Sequence, residues 1–479
     1  MNESLKAKTL KGVVWSSVER FSVAGLNFIF GLILARILAP SDYGVIAMLA
    51  IFMSLAQTFI DSGFSNALIR KPDRTEKDNA TTFYFNIVVG LICYLLLFFC
   101  SPLIADFYDT PILIDLTRVL GLNLLLNSLC VVQQAMLTVR LDFKTQAKIS
   151  LSGSVISGIA GVVCAYYGMG VWALVVQSVG TSTLRTILLW ILAKWKPSEK
   201  LSKDSFCQLF SYVSKLLASG LLDTIYNNLY TIIIGKKFSA FQLGTYSRGE
   251  QWANFPAVNI TGILQRVTFP VLSTIQNEDD RLRTNYRKFI RFSGFVIFPI
   301  MVGIAAVADP LTRLILTDKW EGSIIFTQML CFAFMWYPIH AINLNLLQVK
   351  GRSDLFLRLE IIKKVIGVVT LVVTVPIGLT AMCVGRIITS LISLFINTYY
   401  TGKLLDLGYV RQMKDLLPAL LISLSMGILV YFMVTYCGIG SNFIKLVTGV
   451  SVGFIYYLSV NVALKTNEWM DFLTIILKR

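Results

Sequence analysis

Residues 87–100 read IVVGLICYLLLFFC and residues 446–460 read LVTGVSVGFIYYLSV, and neither stretch carries a charge on any face. An α-helix needs about 20 mostly apolar residues to cross the hydrocarbon of a bilayer, and stretches of this kind recur along the whole chain. The alternation of apolar and polar residues that marks a membrane barrel is missing, so helices follow. Of the 479 residues, 55% are hydrophobic and only 15% are charged, against roughly 25% charged in a soluble domain. Too little polar surface remains to enclose a water-soluble body. The expected class is all-α, a polytopic membrane protein with about fourteen transmembrane helices.

The formal net charge of +16 would suggest nucleic acid only if the basic residues shared one soluble face. They are scattered between apolar segments instead, so no nucleic-acid partner is expected. The eight cysteines fall in or beside apolar stretches without a CxxC pair and read as packing residues. Lys6, Lys8 and Lys11 precede the first apolar run, but Glu19 and Arg20 sit inside it with no small-residue cleavage site. That pattern is an uncleaved first helix. Lysine and arginine are retained on the cytoplasmic side during insertion, and alternate loops are basic, as in Arg70, Lys71, Arg74 and Lys77, or Arg281, Arg283, Arg287, Lys288 and Arg291. The intervening loops are short and uncharged or acidic except for Lys236, Lys237, Arg313 and Lys319. Both termini are therefore expected in the cytoplasm, in a cell inner membrane.

A weak internal repeat aligns LARILAPSDYG at Leu34–Gly44 with IGKKFSAFQLG at Ile234–Gly244, pairing Arg36 with Lys236, Gly44 with Gly244 and Asn27 with Asn227 at an offset of 200. The expected organisation is a six-helix lobe over residues 1–200, a second over 201–403, and a C-terminal helix pair over 404–479. Both copies begin on the same side, so the repeat is parallel with its axis along the membrane normal, the arrangement of a two-lobed rocking transporter.

Charges inside apolar helices are the best functional pointers. A central Asp, Lys or Arg costs about 2.5 to 3.5 kcal/mol on insertion, while a Leu or Ile returns only about 0.3 to 0.6. In the seventh helix, Lys215, Ser219, Asp223 and Asn227 recur at i, i+4 and form one stripe. The first helix repeats the idea with Ser16, Glu19, Arg20 and Asn27, and the eighth adds Arg248, Glu250 and Arg266 around Pro256. These helices are expected to surround a hydrophilic cavity. Arg185 in the sixth helix and Arg386 in the twelfth have no acidic neighbour at helical spacing and join them there. The set Arg20, Arg185, Lys215, Arg248, Arg266, Arg386, Asn27 and Asn227 would hold a head group. Arginine favours an anion, because guanidinium donates paired hydrogen bonds to phosphate oxygens. Glu19, Asp223 and Glu250 would bind a coupling H⁺ or Na⁺, or else balance the arginines. The plainer alternatives are that Lys215 snorkels to the interface, that Arg36 and Lys236 are interfacial, that Asp61 is structural or capping, and that His340, beside Pro338, is a hydrogen-bonding residue at a kink. No cofactor or metal cluster is expected.

The stretches LARILAPSDYG, IGKKFSAFQLGTYSRGEQWANFP (Ile234–Pro256), LILTDKWEGS (Leu314–Ser323) and LLQVKGRSDLFLRLE (Leu346–Glu360) resemble the polysaccharide flippases of the Wzx and WzxC type, in the multidrug/oligosaccharidyl-lipid/polysaccharide exporter superfamily. The resemblance implies a protein that moves an undecaprenyl-diphosphate-linked oligosaccharide from the cytoplasmic to the periplasmic leaflet, for O-antigen, capsule or exopolysaccharide assembly. Its partners would be that lipid-linked substrate, membrane lipids and the polymerase or assembly proteins. Two lobes would alternate around a basic central cavity. The last two helices resemble, in number, the extra pair of the lipid II flippase MurJ, which form a lipid-facing groove there.

Three other readings compete. A MATE-like multidrug exporter would share the outline but needs a more acidic cavity. A polysaccharide polymerase or ligase needs a larger outer loop than Ala308–Ser323 to build a catalytic site. A pure scaffold leaves the buried stripe unexplained. No Walker A loop and no Ser/His/Asp set is present, so neither an enzyme nor an ATP-driven pump is expected.

Overall fold

The computed structural model describes residues 5–61, 68, 73–438, 440–466 and 468–470. Arg70, Lys71, Lys478 and Arg479 of the expected inner face lie outside the described residues, as do the side chains of Lys6, Lys8, Lys11 and Lys215. All regular structure among the described residues is helical: α1 (Leu5–Ile37), α2 (Pro40–Asp61), α3 (Glu76–Tyr108), α4 (Leu113–Ser128), α5 (Val131–Val139), α6 (Phe143–Tyr166), α7 (Trp172–Leu192), α8 (Lys203–Lys237), α9 (Ala240–Thr274), α10 (Asp279–Ala306), α11 (Ala308–Leu316), α12 (Gly322–Phe334), α13 (Tyr337–Val349), α14 (Ser353–Thr374), α15 (Leu379–Leu405), α16 (Tyr409–Tyr436) and α17 (Asn442–Ala463), with a 3₁₀ turn at Asp318–Trp320.

Ten of the helical spans among the described residues are long and apolar enough to cross a membrane, with α12 and α13 counting as one. The number is eleven if α4 and α5, which meet at 40°, form one bent span. Helices α8, α9 and α14 have 35, 35 and 22 residues, enough to cross. Their polar residues, charged and neutral, are what separate them from the others. They include the two helices on which the sequence places most of its intramembrane charge, and length and composition alone leave the expected fourteen at ten or eleven.

The chain divides into two compact units, Met1–Gly244 and Thr245–Arg479. In the first, α6 packs between α1 and α7, α3 lies on α4, and α8 packs on α2 and α3. Thus α8, which the repeat parsing gives to the second lobe, is held by contacts within the first unit. Local chemistry sets the helix starts: Thr75 and Asp78 form a reciprocal capping box at α3, and Asp142 accepts from the Thr145 N–H at 3.1 Å at α6, each satisfying an orphan backbone donor.

The tightest contact in this unit joins the first turns of α2 and α9. A Cβ built on Gly44 would lie 1.7 Å from the carbonyl oxygen of Ala240, and one built on Gly244 would lie 1.8 Å from that of Pro40. The two backbones touch, and the contact is reciprocal at an offset of 200, since 240 − 40 and 244 − 44 agree. The caps match as well. The Ala39 N–H donates to Asp42 Oδ2 at 2.9 Å, and the Ser239 N–H donates to Gln242 Oε1 at 3.2 Å. Ser239 Oγ also accepts from the Gln242 N–H at 3.2 Å, closing a box that Ala39 has no side chain to close. Lys236, expected at an interface, pairs with Asp109 at 3.0 Å and lies 5.4 Å from the centre of the Phe107 ring.

In the second unit α10 packs on α16 and α12, α15 on α14 and α12, and α17 on α16 and α11. A cluster of Phe295, Val302, Ile422, Met426, Val430 and Tyr457 joins the C-terminal pair to α10, and Tyr457 donates to the Phe295 carbonyl at 2.9 Å. Three buried polar residues bond between helices: Asn343 Nδ2 donates to Gln412 Oε1 at 3.1 Å, and Thr401 Oγ1 donates to Asn343 Oδ1 at 2.9 Å. His340 lies 3.3 Å from Ser390 Oγ and 3.2 Å from Asn397 Nδ2, just past the α12–α13 break, the bonding role its neighbouring proline suggests. Between the helices, Arg313 holds Asp309, Asp318 and Glu321 at 2.8, 2.7 and 2.9 Å, and those carboxylates push its guanidinium above its ordinary range.

A backbone oxygen has no rotamer into which it can retreat, so a single methyl at Gly44 or Gly244 must separate the helices. Gly44→Ala and Gly244→Ala are each expected to destabilise the purified protein by about 1 to 3 kcal/mol, the range for overpacking. The double substitution should cost less than the sum, because both act on one contact. Gly25→Ala and Gly31→Ala, where nothing lies within 4 Å, should leave the melting temperature unlowered. Thermal unfolding in detergent measures all five.

Candidate functional site

A cavity of about 750 Å³ opens inside the first unit. Four helices turn short polar side chains into it at helical spacing: Ser54, Gln57, Thr58 and Asp61 from α2, Asn123 and Asn127 from α4, Ser178 and Ser182 from α7, and Thr224 from α8. Residues three or four apart share a helix face, which is why each helix supplies its groups in register. The polar groups are linked. Asn127 Nδ2 donates to Gln57 Oε1 at 3.0 Å, and Gln57 Nε2 donates to Asp61 Oδ1 at 2.9 Å. Asn123 Nδ2 donates to Ser178 Oγ at 3.0 Å, and the Thr58 and Thr224 hydroxyls lie 3.0 Å apart.

Arg185 follows Ser178 and Ser182 on α7 and donates to Gln134 Oε1 on α5. Its charge acts through space on the Asp61 carboxylate. Asp61 is the last residue of α2, at the negative end of the helix dipole, where a carboxylate is disfavoured. It also lies on the cavity wall, and the residues that follow it, 62–67, lie outside those described.

The remaining expected residues of this unit are dispersed. Glu19 accepts from Ser150 Oγ at 2.7 Å, tying α1 to α6. Arg20 and Asn27 are exposed on α1 and stand outside the lining of this cavity. Asp223 and Asn227 are exposed one turn apart on α8, beside the inward-facing Thr224. Lys215 lies on the same helix, its side chain outside those described.

In the second unit the structure brings two expected residues together. Arg386 Nη1 donates to Glu250 Oε1 at 2.6 Å and to the Tyr246 hydroxyl at 2.6 Å, and its guanidinium carbon lies 4.5 Å from the centre of the Phe334 ring. Tyr246 is fully buried, whereas the Arg386 and Glu250 side chains keep 20% and 26% of their surface exposed. Arg386 has no acidic neighbour on its own helix; its counter-charge comes from α9. Arg248 points elsewhere: it is buried, donates to Gln251 Oε1 at 2.8 Å, and its guanidinium carbon lies 5.0 Å from the centre of the Trp320 ring. That cation–π contact is worth about 0.5 to 2 kcal/mol and offsets part of the cost of burying the guanidinium. Arg266 is exposed on α9.

The sequence reading passed over Gln57, Asn123, Asn127, Gln134 and Tyr246. The i, i+4 pairs Gln57/Asp61, Asn123/Asn127 and Ser178/Ser182 carry the same stripe signal used for α8, but neutral amides cost less to insert than charges and stand out less. Among the described residues no group of three or more His, Cys, Asp or Glu is placed to hold a metal.

The chain matches the family described as "Polysaccharide biosynthesis protein" over residues 33–325. It is 25% identical over 432 residues to the teichuronic acid biosynthesis protein TuaB of Bacillus subtilis, covering 89% of each chain. It is 24% identical over 440 residues to the lipopolysaccharide biosynthesis protein WzxC of Escherichia coli, again covering 89% of each. The resemblance read from the four motifs is thereby borne out. Among solved structures, the lipid II flippase MurJ in an inward closed conformation matches with a TM-score of 0.74 at 13% identity, over 94% of this chain and 99% of that one. That likeness is one of fold.

The cavity network gives a direct expectation. Asn127→Leu removes the donor to Gln57 while keeping side-chain size, leaving a partly solvated amide that water can satisfy, so stability should fall by no more than about 1 kcal/mol. Asp61→Asn should be neutral or stabilising, because it removes a charge from a helix C-terminus. A large loss of thermal stability in either variant would mean that the network serves packing alone.

Proposed function

Because this chain belongs to the polysaccharide biosynthesis protein family, we propose that it carries an undecaprenyl-diphosphate-linked oligosaccharide from the cytoplasmic to the periplasmic leaflet by alternating access. The observation that carries this reading is the cavity of the first unit, about 750 Å³, where hydroxyls and amides from four helices stand among apolar residues such as Leu49, Met53 and Leu124, in a chain whose helices are otherwise built for lipid. Pockets of roughly 300 to 1,000 Å³ accept small polar molecules, so a sugar-phosphate head group fits while the prenyl chain stays among the lipid tails. Hydroxyls and amides are the groups that meet sugar hydroxyls one for one. The names of the relatives point the same way, since TuaB and WzxC are both named for the making of surface polysaccharide.

In this reading the six-plus-six-plus-two organisation is retained, with both termini in the cytoplasm of an inner-membrane protein. The reciprocal contact and matched caps at an offset of 200 support two related halves. On that topology the Gly44/Gly244 crossing lies at the periplasmic end. In the first unit Arg185 is the residue for the diphosphate, joined by Arg20 from α1 and Lys215 from α8; in the second it is Arg386, joined by Arg266 from α9. Each of these two arginines now rests on a protein oxygen, Arg185 on Gln134 and Arg386 on Glu250. A phosphate has to displace those acceptors. The neutral amide of Gln134 yields readily. The Glu250 carboxylate yields once its charge is cancelled, by protonation or by Na⁺, and that gives coupling a physical form: ion capture at Glu250 frees the Arg386 guanidinium for substrate. The protein does so without making or breaking a covalent bond.

Deleting the gene and locating the lipid-linked oligosaccharide tests the reading: accumulation on the inner leaflet is expected, whereas unpolymerised units gathering outside would assign the chain to a later step. Arg185→Ala and Arg386→Ala should weaken binding of a prenyl diphosphate by about tenfold or more, the range for a lost charge-assisted hydrogen bond. Asp223→Asn should impair transport with insertion intact. Glu250→Gln should leave Arg386 permanently available, so that transport in vesicles loses its dependence on the ion gradient; an unchanged response to both pH and Na⁺ would remove Glu250 from the coupling step.

A further inference from the structure

A second cavity, of about 330 Å³, lies in the second unit where α10, α16 and the segment after α17 meet, and its wall contains none of the residues assigned to the substrate. Its wall carries Arg291, Lys414, Asp415, Lys465 and Glu468. One of the two carboxylates is already neutralised from outside the wall: Arg287 donates from Nε to Asp415 Oδ2 at 2.8 Å and from Nη2 to Oδ1 at 2.6 Å, taking both oxygens. The other, Glu468, is 5% exposed. Lys414 and Lys465 by contrast are exposed. With Asp415 spoken for, the wall holds three cations against one anion.

Its depth in the bilayer can be read from the sequence. Arg291 is the last charge of α10 before FSGFVIFPIMVGIAA, Asp415 the last of α16 before LLPALLISL, and Lys465 the first charge after the apolar end of α17. All three elements change from apolar to charged at this cavity. It therefore sits at the boundary between hydrocarbon and water, the depth of lipid head groups. Trp469, packed against the core cluster of α10, α16 and α17 beside it, is a residue type that favours the same depth.

We propose that this cavity binds the phosphate of an anionic membrane phospholipid, with Lys414 and Lys465 as its donors and the charge of Arg291 beside them. Basic pockets between membrane helices at this level suit phosphate diester head groups, and an adjoining face of α16 and α17 with Leu417, Leu421 and Val462 exposed gives the acyl chains an apolar path. The bound lipid would link α10 to the C-terminal pair.

The test uses the full-length protein in neutral phosphatidylcholine nanodiscs, titrated with phosphatidylglycerol and read by thermal shift and by native mass spectrometry. Phosphatidylglycerol should raise the melting temperature and remain bound to the released protein. In Lys414→Gln/Lys465→Gln the affinity should fall about twenty-five-fold, at a factor of about five per lysine. The control Lys445→Gln, at the opposite end of α17, should bind as the parent does. Lys414→Arg/Lys465→Arg should retain binding, and it keeps the test decisive if the glutamine pair fails to fold. Undiminished phosphatidylglycerol binding in the glutamine pair would overturn the proposal. So would an equal shift from inorganic phosphate, which would make this a site for free anions, or a response to a prenyl diphosphate without one to phosphatidylglycerol, which would make it part of the substrate path.

Discussion

The rest of the first unit depends on the backbone contact between the first turns of α2 and α9. Two helices approach until a carbonyl of each fills the space where the other would carry a side chain, at Gly44 and Gly244. No apolar driving force pulls helices together in lipid, so close approach through small residues and the dispersion it permits are what hold such a crossing. From it the path is short. The register of α2 places Ser54, Gln57, Thr58 and Asp61 on one wall of the cavity, and α8, which ends three residues before α9 begins, brings Thr224 within 3.0 Å of Thr58. A contact of backbone on backbone transmits displacement without the slack of a side chain.

Much of this was legible in the sequence. Helix class, membrane placement, the 200-residue offset and the family resemblance all come from one-dimensional pattern, whereas Asp223 and Asn227 of the α8 stripe are exposed and stand outside the cavity lining that Thr224 joins. What stayed hidden is pairing across long separation. The offset aligns Gly44 with Gly244, but an alignment of two copies does not say that they touch. Arg386 looks unpartnered within its own helix because its acidic partner, Glu250, is 136 residues away. Arg248 looks like a cavity charge because the sequence cannot show Trp320 lying against it. The neutral wall of the cavity was passed over for an energetic reason: Gln57, Asn123 and Asn127 stand out against leucine far less than charges do.

The charged residues divide by how they are satisfied. Arg248 and Glu19 are bound to groups that hold neighbouring elements in place, an aromatic ring and a serine on another helix. Arg185 and Arg386 rest on side-chain oxygens of other helices, an amide for the first and a carboxylate for the second. A guanidinium in hydrocarbon must always have acceptors, so a binding arginine needs a placeholder whenever its ligand is absent. The strength of that placeholder then sets a threshold. An amide such as Gln134 is displaced by any better acceptor, whereas a carboxylate such as Glu250 competes with phosphate on nearly equal terms until its charge is removed.

On the proposed function, that difference would give Arg185 and Arg386 different requirements for meeting a phosphate. Arg185, on an amide, would meet a diphosphate without any prior event, and it stands within electrostatic reach of Asp61 at the cavity wall. Arg386, tied to Glu250 and flanked by Tyr246 and Phe334, is the guarded member of the pair, and only a change of ionisation at its partner releases it.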